Sequence, residues 1–382
     1  MKGAVLENPF RYGGIVLGPH FADRQAEMEA LKKEISNFSR IFLVSPRRYG
    51  KTCLLFNLME SLKIEKMPVA YLDLNAYPDI KSLSGGYALQ TCQALETNRD
   101  KLIKILSGLK NFKPRFSVES DSTKISAELI STIQEKDALT ALLECMQYAE
   151  SLAIRTRKKL VVIIDEFSEL TKYDGDTLEK ALRSEIQKHQ NIAYIFSGSE
   201  QSVMLAMLRD RKRAFYKLGR IMELGPIDRP GYQKFILQWL KKGGLTASAS
   251  DLQRLFELGH DVPYNIQRMC NNMWDLAQKD NQVTSTLIEM LPNIIARQDS
   301  PHYELLWRTA SALQRKILIA LSKEPDIKPL TKEFALRYQI SPPSSIKASL
   351  VSLIKKGILY QTLKGSYQFT DDFMPYWIDS MV

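Results

Sequence analysis

Ile41-Phe42-Leu43-Val44-Ser45-Pro46-Arg47-Arg48-Tyr49-Gly50-Lys51-Thr52 is the stretch on which the fold turns. Four apolar residues in a row read as a buried strand, and Cys53-Leu54-Leu55-Phe56-Asn57-Leu58-Met59 after the loop reads as a buried helix. A loop between a strand and a helix can aim backbone N–H groups at phosphate oxygens, and the helix N-terminus adds partial positive charge. Gly50 lets the backbone come close to phosphate, Lys51 can bridge β- and γ-phosphates, and the Thr52 hydroxyl can ligate Mg2+. Ser45 stands where the G-x-x-x-x-G-K-[ST] pattern has its first glycine. Residues Ser45 to Thr52, with Cys53 at the helix start, are therefore expected to cradle a nucleoside triphosphate with its Mg2+.

A second stretch completes the chemistry. Lys159-Leu160-Val161-Val162-Ile163-Ile164-Asp165-Glu166 is an apolar strand ending in two acids. Asp165 at the strand tip is placed to hold a Mg2+-bound water. Glu166 is placed to orient or deprotonate the attacking water, because phosphoryl transfer depends mainly on positioning and charge stabilisation. Ile192-Ala193-Tyr194-Ile195-Phe196 forms another strand and ends in Ser197-Gly198-Ser199-Glu200. Ser197 or Ser199 is expected to reach the γ-phosphate or the lytic water.

Working outward, Val69–Leu74 and Ile221–Leu224 read as further strands, and the stretch from Phe21 to Ile35 as an entry helix with Asp23, Arg24, Glu27 and Glu29 on its polar face. Residues 82–155 read as mostly helical, interrupted near Lys113-Pro114-Arg115. Strands alternating with helices predict an α/β fold with a parallel sheet covered on both faces. The Gly225–Gly231 punctuation marks a boundary. We expect a nucleotide-binding core over 1–228, a strandless helical domain over 229–300 and a third unit over 301–382. That last unit reads as helices at Trp307–Leu321, Thr331–Tyr338 and Ser344–Lys356, then an extended pair, Ile358–Leu363 and Ser366–Thr370, around Lys364-Gly365. Three helices and a hairpin are the winged-helix order.

The 382 residues are 45% hydrophobic and 25% charged, the composition of a globular protein. No apolar run approaches the roughly 18 residues a membrane helix requires. The opening residues lack the apolar core of a signal peptide, so a cytoplasmic location is expected. Four scattered cysteines and four histidines offer no metal or disulfide framework. A formal net charge of +10 permits a polyanionic partner.

These residues resemble a family. Asn8-Pro9-Phe10-Arg11-Tyr12-Gly13 and Phe21-Ala22-Asp23-Arg24-Gln25-Ala26-Glu27 are similar to the nucleotide-base segment and F-x-x-R-x-x-E entry helix of the archaeal-type ATPases. Ser45–Thr52 is similar to that family's S/G-P-R-R-x-G-K-T, and Ile163–Phe167 to its acid motif. The family sits among the STAND and AAA+ P-loop NTPases, related more distantly to origin-recognition initiators. The resemblance spans the whole chain and implies ATP, a helical lid and a C-terminal winged helix. It also implies an arginine finger or γ-phosphate sensor at Arg220, from Leu218-Gly219-Arg220. His260-Asp261-Val262-Pro263 looks like the lid's Gly-x-Pro motif, with Pro263 against the base, although the glycine is missing. Arg268 is either a lid sensor or a surface charge.

Three functions fit. The first is a Mg-ATP-hydrolysing switch whose hydrolysis moves the lid and winged helix, working on a protein partner or through self-association. The second is an ATP-regulated, initiator- or regulator-like protein binding double-stranded DNA through residues 301–382. The third is a nucleotide-binding scaffold that hardly turns over. Residues 301–382 hold eleven Lys or Arg against seven Asp or Glu. Ser345, Lys347, Ser349 and Ser352 are candidates to read a groove, and Lys347, Lys355, Lys356 and Lys364 to meet phosphates. The basic run Arg209-Asp210-Arg211-Lys212-Arg213 reads as a solvated face, as a contact to a neighbouring copy's nucleotide, or as a contact to a polyanion.

Overall fold

The computed structural model describes residues 7–22, 24–96, 98, 101, 112–118, 125–131, 137–173, 175–277, 282–340, 343–362 and 365–381. Asp23, Ser341, Pro342 and Lys364 lie outside these residues. The backbone divides into two compact units: Leu17–Pro226, and a second that joins the N-terminal segment through Val16 to Ile227 and beyond.

The first unit holds a five-stranded parallel sheet. Its strands are β1 (Arg40–Val44), β2 (Val69–Asp73), β5 (Leu160–Asp165), β6 (Ile192–Gly198) and β7 (Arg220–Glu223), in the order β2-β5-β6-β1-β7. Its helices are α1 (Gln25–Ser36), α2 (Lys51–Ile64), α3 (Ile80–Leu95), α4 (Ala138–Thr156), α5 (Gly175–Ile186) and α6 (Gln201–Arg209). Strands β5 and β6 are buried at every residue, as continuous apolar runs covered on both faces must be. Successive side chains face opposite ways. Ile41, Leu43, Val161, Ile163 and Ile195 therefore pack with α1 and α2, while Phe42, Val44, Val162, Ile164 and Phe196 pack with α3 and α4. Phe42 stacks on Phe196 at 4.8 Å, and Phe167 lies 4.6 Å from Phe196. Gly219 is required by crowding, since a Cβ there would lie 2.0 Å from the Arg40 carbonyl oxygen.

The helical reading of residues 82–155 is corrected between α3 and α4. Residues Phe112–Val118 (β3) and Ile125–Ser131 (β4) pair as antiparallel strands. Phe116, Val118, Ile125, Ala127 and Leu129 alternate with polar residues, a period of two that no helix satisfies.

In the second unit, α7 (Arg229–Lys242), α8 (Ala249–Leu258), α9 (Pro263–Ala277) and α10 (Ser285–Gln298) form the helical part. The N-terminal segment, read with the core from sequence, packs here instead. Asn8 Nδ2 donates to the Asn271 carbonyl (2.9 Å) and to Asp275 Oδ1 (2.8 Å), and Phe10 meets Trp274 edge-on. The chain then continues as α11 (Ser300–Thr309), α12 (Ala312–Lys323), α13 (Lys332–Arg337), α14 (Pro343–Lys355), the hairpin β8 (Leu359–Gln361) and β9 (Tyr367–Phe369), and α15 (Met374–Asp379). The single helix expected at Trp307–Leu321 is two, because Ser311 caps α12 in a capping box with Gln314. Asp261 occupies the position where the resemblance calls for glycine. It takes the left-handed conformation (φ 56°) and accepts a bidentate pair from Arg229 at 2.7 and 2.8 Å. Among the described residues no helix is long and apolar enough to cross a membrane.

Candidate active site

All five strands of the sheet are parallel, so the ends of β1, β5 and β6 share one edge, and chemistry collects there. Strand β6 lies between the lysine loop's strand and the acid strand, with Leu43 opposite Ser197 and Ile164 opposite Phe196. That register sets the Ser197 hydroxyl against Asp165.

The loop leaves β1 through fully buried Ser45, whose N–H donates to the Gly198 carbonyl at 3.3 Å. Arg48 and Gly50 both adopt positive φ (71° and 83°). Gly50 caps α2 without a side chain, so nothing of its own fills the cradle of amides. Lys51 opens α2 with its side chain only 6% exposed. Its Nζ donates to Asp165 Oδ1 at 2.7 Å and to Glu166 Oε1 at 3.0 Å. Thr52 and Cys53 follow, half-buried, on the first turn.

Asp165 is buried and held from four directions. Lys51, the Ser197 hydroxyl and the Glu166 N–H donate to Oδ1, and the Tyr71 hydroxyl donates to Oδ2 at 2.9 Å. Burial pushes its carboxyl up, but the Lys51 charge and the hydrogen bonds from Lys51, Ser197 and Glu166 outweigh it, so it lies below the usual carboxylate range. It is a fixed anion. Glu166 is a non-glycine residue at φ 49°, a strained conformation of the kind that collects at working sites. Its Oε2 accepts from the Ser199 hydroxyl (2.9 Å) and N–H (3.3 Å).

The structure therefore brings Lys51, Asp165, Glu166, Ser197 and Ser199 into one hydrogen-bonded cluster. For Mg2+, the Thr52 hydroxyl and the Asp165 carboxylate are hard oxygen donors, and Mg2+ is commonly bound by one or two carboxylates plus nucleotide phosphates and water. Among the described residues no group of three His, Cys, Asp or Glu gathers to cage an ion.

Other expected residues lie elsewhere. Arg220 opens β7 opposite Ile41, at the sheet edge away from the loop, and pairs with Glu34. The structure does not bring Arg220 into the cluster around Lys51, Asp165 and Glu166. Arg47 stands exposed, 3.8 Å from Glu200. In the basic run, Arg213 is clamped onto buried Glu179 and Arg209 pairs with Glu223, leaving Arg211 and Lys212 exposed. In the second unit, Pro263 is buried at the head of α9, its carbonyl accepting from Tyr232 at 3.1 Å. Arg268 is no surface charge. It is buried in a bidentate pair with Asp299 (2.5 and 2.8 Å) and lies over the rings of Tyr12 and Phe373.

Tyr71 was not legible from sequence. Its strand register puts it opposite Ile163, two residues before Asp165 on the same face, and only the pairing reveals this. Burial and then the Asp165 charge push its hydroxyl far above the ordinary range, so it stays a donor. Tyr71→Phe keeps the ring packed against Phe56 at 5.1 Å and removes one of the donors to Asp165. At about 1 kcal/mol for one hydrogen bond, we expect phosphate release to fall about three- to tenfold, with nucleotide affinity within about twofold of wild type. Unchanged turnover would show that Tyr71 does not position Asp165.

Comparison with known proteins agrees with this geometry. The family described as an ATPase domain predominantly from Archaea matches residues 21–224, and a probable winged helix domain matches residues 301–380. The fold is similar to that of the Walker-type ATPase PABY2304 of Pyrococcus abyssi (TM-score 0.61, 16% identity, 97% of this chain and 99% of that one). It is also similar to the Aeropyrum pernix ORC2 protein in ADPNP-ADP complexes (TM-score 0.51, 12% identity, 98% of this chain and 97% of that one). No curated protein matches in sequence. With more than half its length matched, from the entry helix through β7, the chain belongs to the family of ATPase domains found predominantly in Archaea.

Proposed function

We propose that this chain binds Mg-ATP in the Ser45–Thr52 loop, hydrolyses it with Glu166, and uses the cycle as a molecular switch acting on its lid and winged helix. The observation that supports this best is the buried contact of Lys51 with both Asp165 and Glu166. A lysine ammonium held by two carboxylates is parked where an incoming triphosphate can take it over. The exchange releases Glu166 to face water, still oriented by Ser199, while Asp165 keeps Tyr71 and Ser197. Glu166 then accepts the proton of the attacking water, and Lys51 offsets charge building on the leaving phosphates. Mg2+, when bound, supplies further neutralisation of that charge. The test is steady-state phosphate release at saturating ATP with and without Mg2+. Metal-dependent release supports the proposal, and absent release with intact binding would favour a scaffold.

A second reading rests on helix α14. Ser344, Lys347, Ala348, Val351 and Lys355 form one exposed stripe, as groove recognition demands. Ser349 is buried and Lys356 is engaged with the Thr309 carbonyl and Gln314, so neither is offered to DNA. Lys364 lies outside the described residues, so Lys347 and Lys355 are the two candidate lysines that α14 itself offers to phosphates. The slope of log K against log salt is expected near about −2, and Lys347→Ala should reduce it by about one unit. Affinity for duplex DNA that ignores salt, or that is unchanged in Lys347→Ala, would remove this reading.

A further inference from the structure

Arg24 reads from sequence as part of the polar face of the entry helix and of its F-x-x-R-x-x-E pattern, and its side chain is only 3% exposed. It stands at the N-terminus of α1, and its guanidinium bonds to two places in the first unit besides its own helix. Nη2 donates to the Tyr49 carbonyl at 3.2 Å and to the Gly225 carbonyl at 2.7 Å. Nη1 donates to the Pro226 carbonyl at 3.2 Å and to Glu27 Oε1 at 2.6 Å. Glu27 thus serves to orient the guanidinium.

Each contact fixes something the nucleotide site uses. The C=O and N–H of a trans peptide point in opposite directions. Holding the Tyr49 carbonyl therefore fixes the plane of the Tyr49–Gly50 peptide and turns the Gly50 N–H away from Arg24. Gly50 is the left-handed cap of α2, the point where the phosphate loop becomes helix. Gly225 and Pro226 are the last residues of the first unit, and the second unit begins at Ile227. One nitrogen, Nη2, serves the loop and the linker together.

We propose that Arg24 is a positioning residue that couples the phosphate loop to the linker leaving the ATPase unit. The proposal rests on nucleotide binding as set out above. A nucleotide phosphate that draws the Gly50 amide into line strengthens the Tyr49 carbonyl contact, and the rigid guanidinium passes that order to Gly225 and Pro226. By linkage, a linker held in place raises nucleotide affinity by the same factor. Lysine cannot substitute, because a single ammonium lacks the planar fork that reaches three carbonyls at once.

The experiment is hydrogen exchange of the Gly225 and Ile227 amides, with and without saturating Mg-ADP, on the full chain. In wild type, nucleotide is expected to slow exchange at both. In Arg24→Lys, nucleotide affinity is expected to fall about tenfold, the equivalent of one charge-assisted hydrogen bond. At saturation the variant's loop amides should be protected while the linker amides are not. Linker protection equal to wild type in saturated Arg24→Lys would overturn the coupling while leaving nucleotide binding intact. Failure of wild type to bind Mg-ADP at all would overturn the nucleotide reading and this inference with it. If Arg24→Lys does not fold by thermal melt, Arg24→Gln takes its place, since one carboxamide nitrogen cannot reach three carbonyls at once. Undiminished linker protection in that variant would equally overturn the proposal.

Discussion

Lys51→Ala is expected to lose Mg-ATP binding by about 10²- to 10⁴-fold. A hydrogen bond to a charged group contributes about 1.5–3 kcal/mol. A lysine bridging two phosphates therefore contributes roughly 3–6 kcal/mol, and each ~1.4 kcal/mol is tenfold in Kd. The same change touches the resting protein, because Lys51 is the buried cation beside Asp165. Removing one member of such a pair strands the other charge. Here the Tyr71, Ser197 and Glu166 donors remain on Asp165, so the variant is expected to fold with a lowered melting temperature. Titration with a fluorescent ATP analogue, beside a thermal melt, separates the two effects. A folded Lys51→Ala that binds within about threefold of wild type would contradict the assignment.

Glu166→Gln is expected to do the opposite, sparing binding and stopping turnover. Glutamine keeps the length and can still accept from Ser199, but it cannot take a proton from water. Loss of a general base costs about 10²- to 10⁴-fold in rate. Affinity should hold or rise slightly, because one of the two carboxylates that park Lys51 has lost its charge. Quenched-flow and binding measurements on one preparation check both halves. Turnover at the wild-type rate would reassign Glu166 to a structural role at its strained turn.

The parts of this site legible in sequence are those whose chemistry demands fixed residue types in contiguous order. A strand, then Gly50-Lys51-Thr52, then a helix can be read without a partner, as can an apolar strand ending in Asp165-Glu166. Ser197 and Ser199 were legible one step further out, as polar residues ending a strand of the same sheet. Tyr71 was not, because its role depends on which strand pairs with which and in what register. Arg24 was legible as a motif residue on a polar helix face, but its contacts were not, for a related reason. Its partners are three backbone carbonyls far away in sequence, and carbonyls leave no trace in residue identity. Arg268 shows the same blindness, since a buried arginine and a surface arginine are spelled alike until Asp299 arrives. The β3–β4 pair was hidden by a different error, in which neighbouring helical stretches were extended across a period-two pattern. Ser349 lies on the buried side of α14 and Lys356, just past its end, turns back onto Thr309 and Gln314, placements that residue type alone does not decide.

The most direct test of the central claim is Mg2+-dependent phosphate release from ATP by the wild-type chain, with Glu166→Gln measured in parallel at equal nucleotide occupancy. The account predicts release by wild type that requires Mg2+ and falls at least about 100-fold in the variant. Equal release by the two proteins, or none by wild type with nucleotide fully bound, would contradict it.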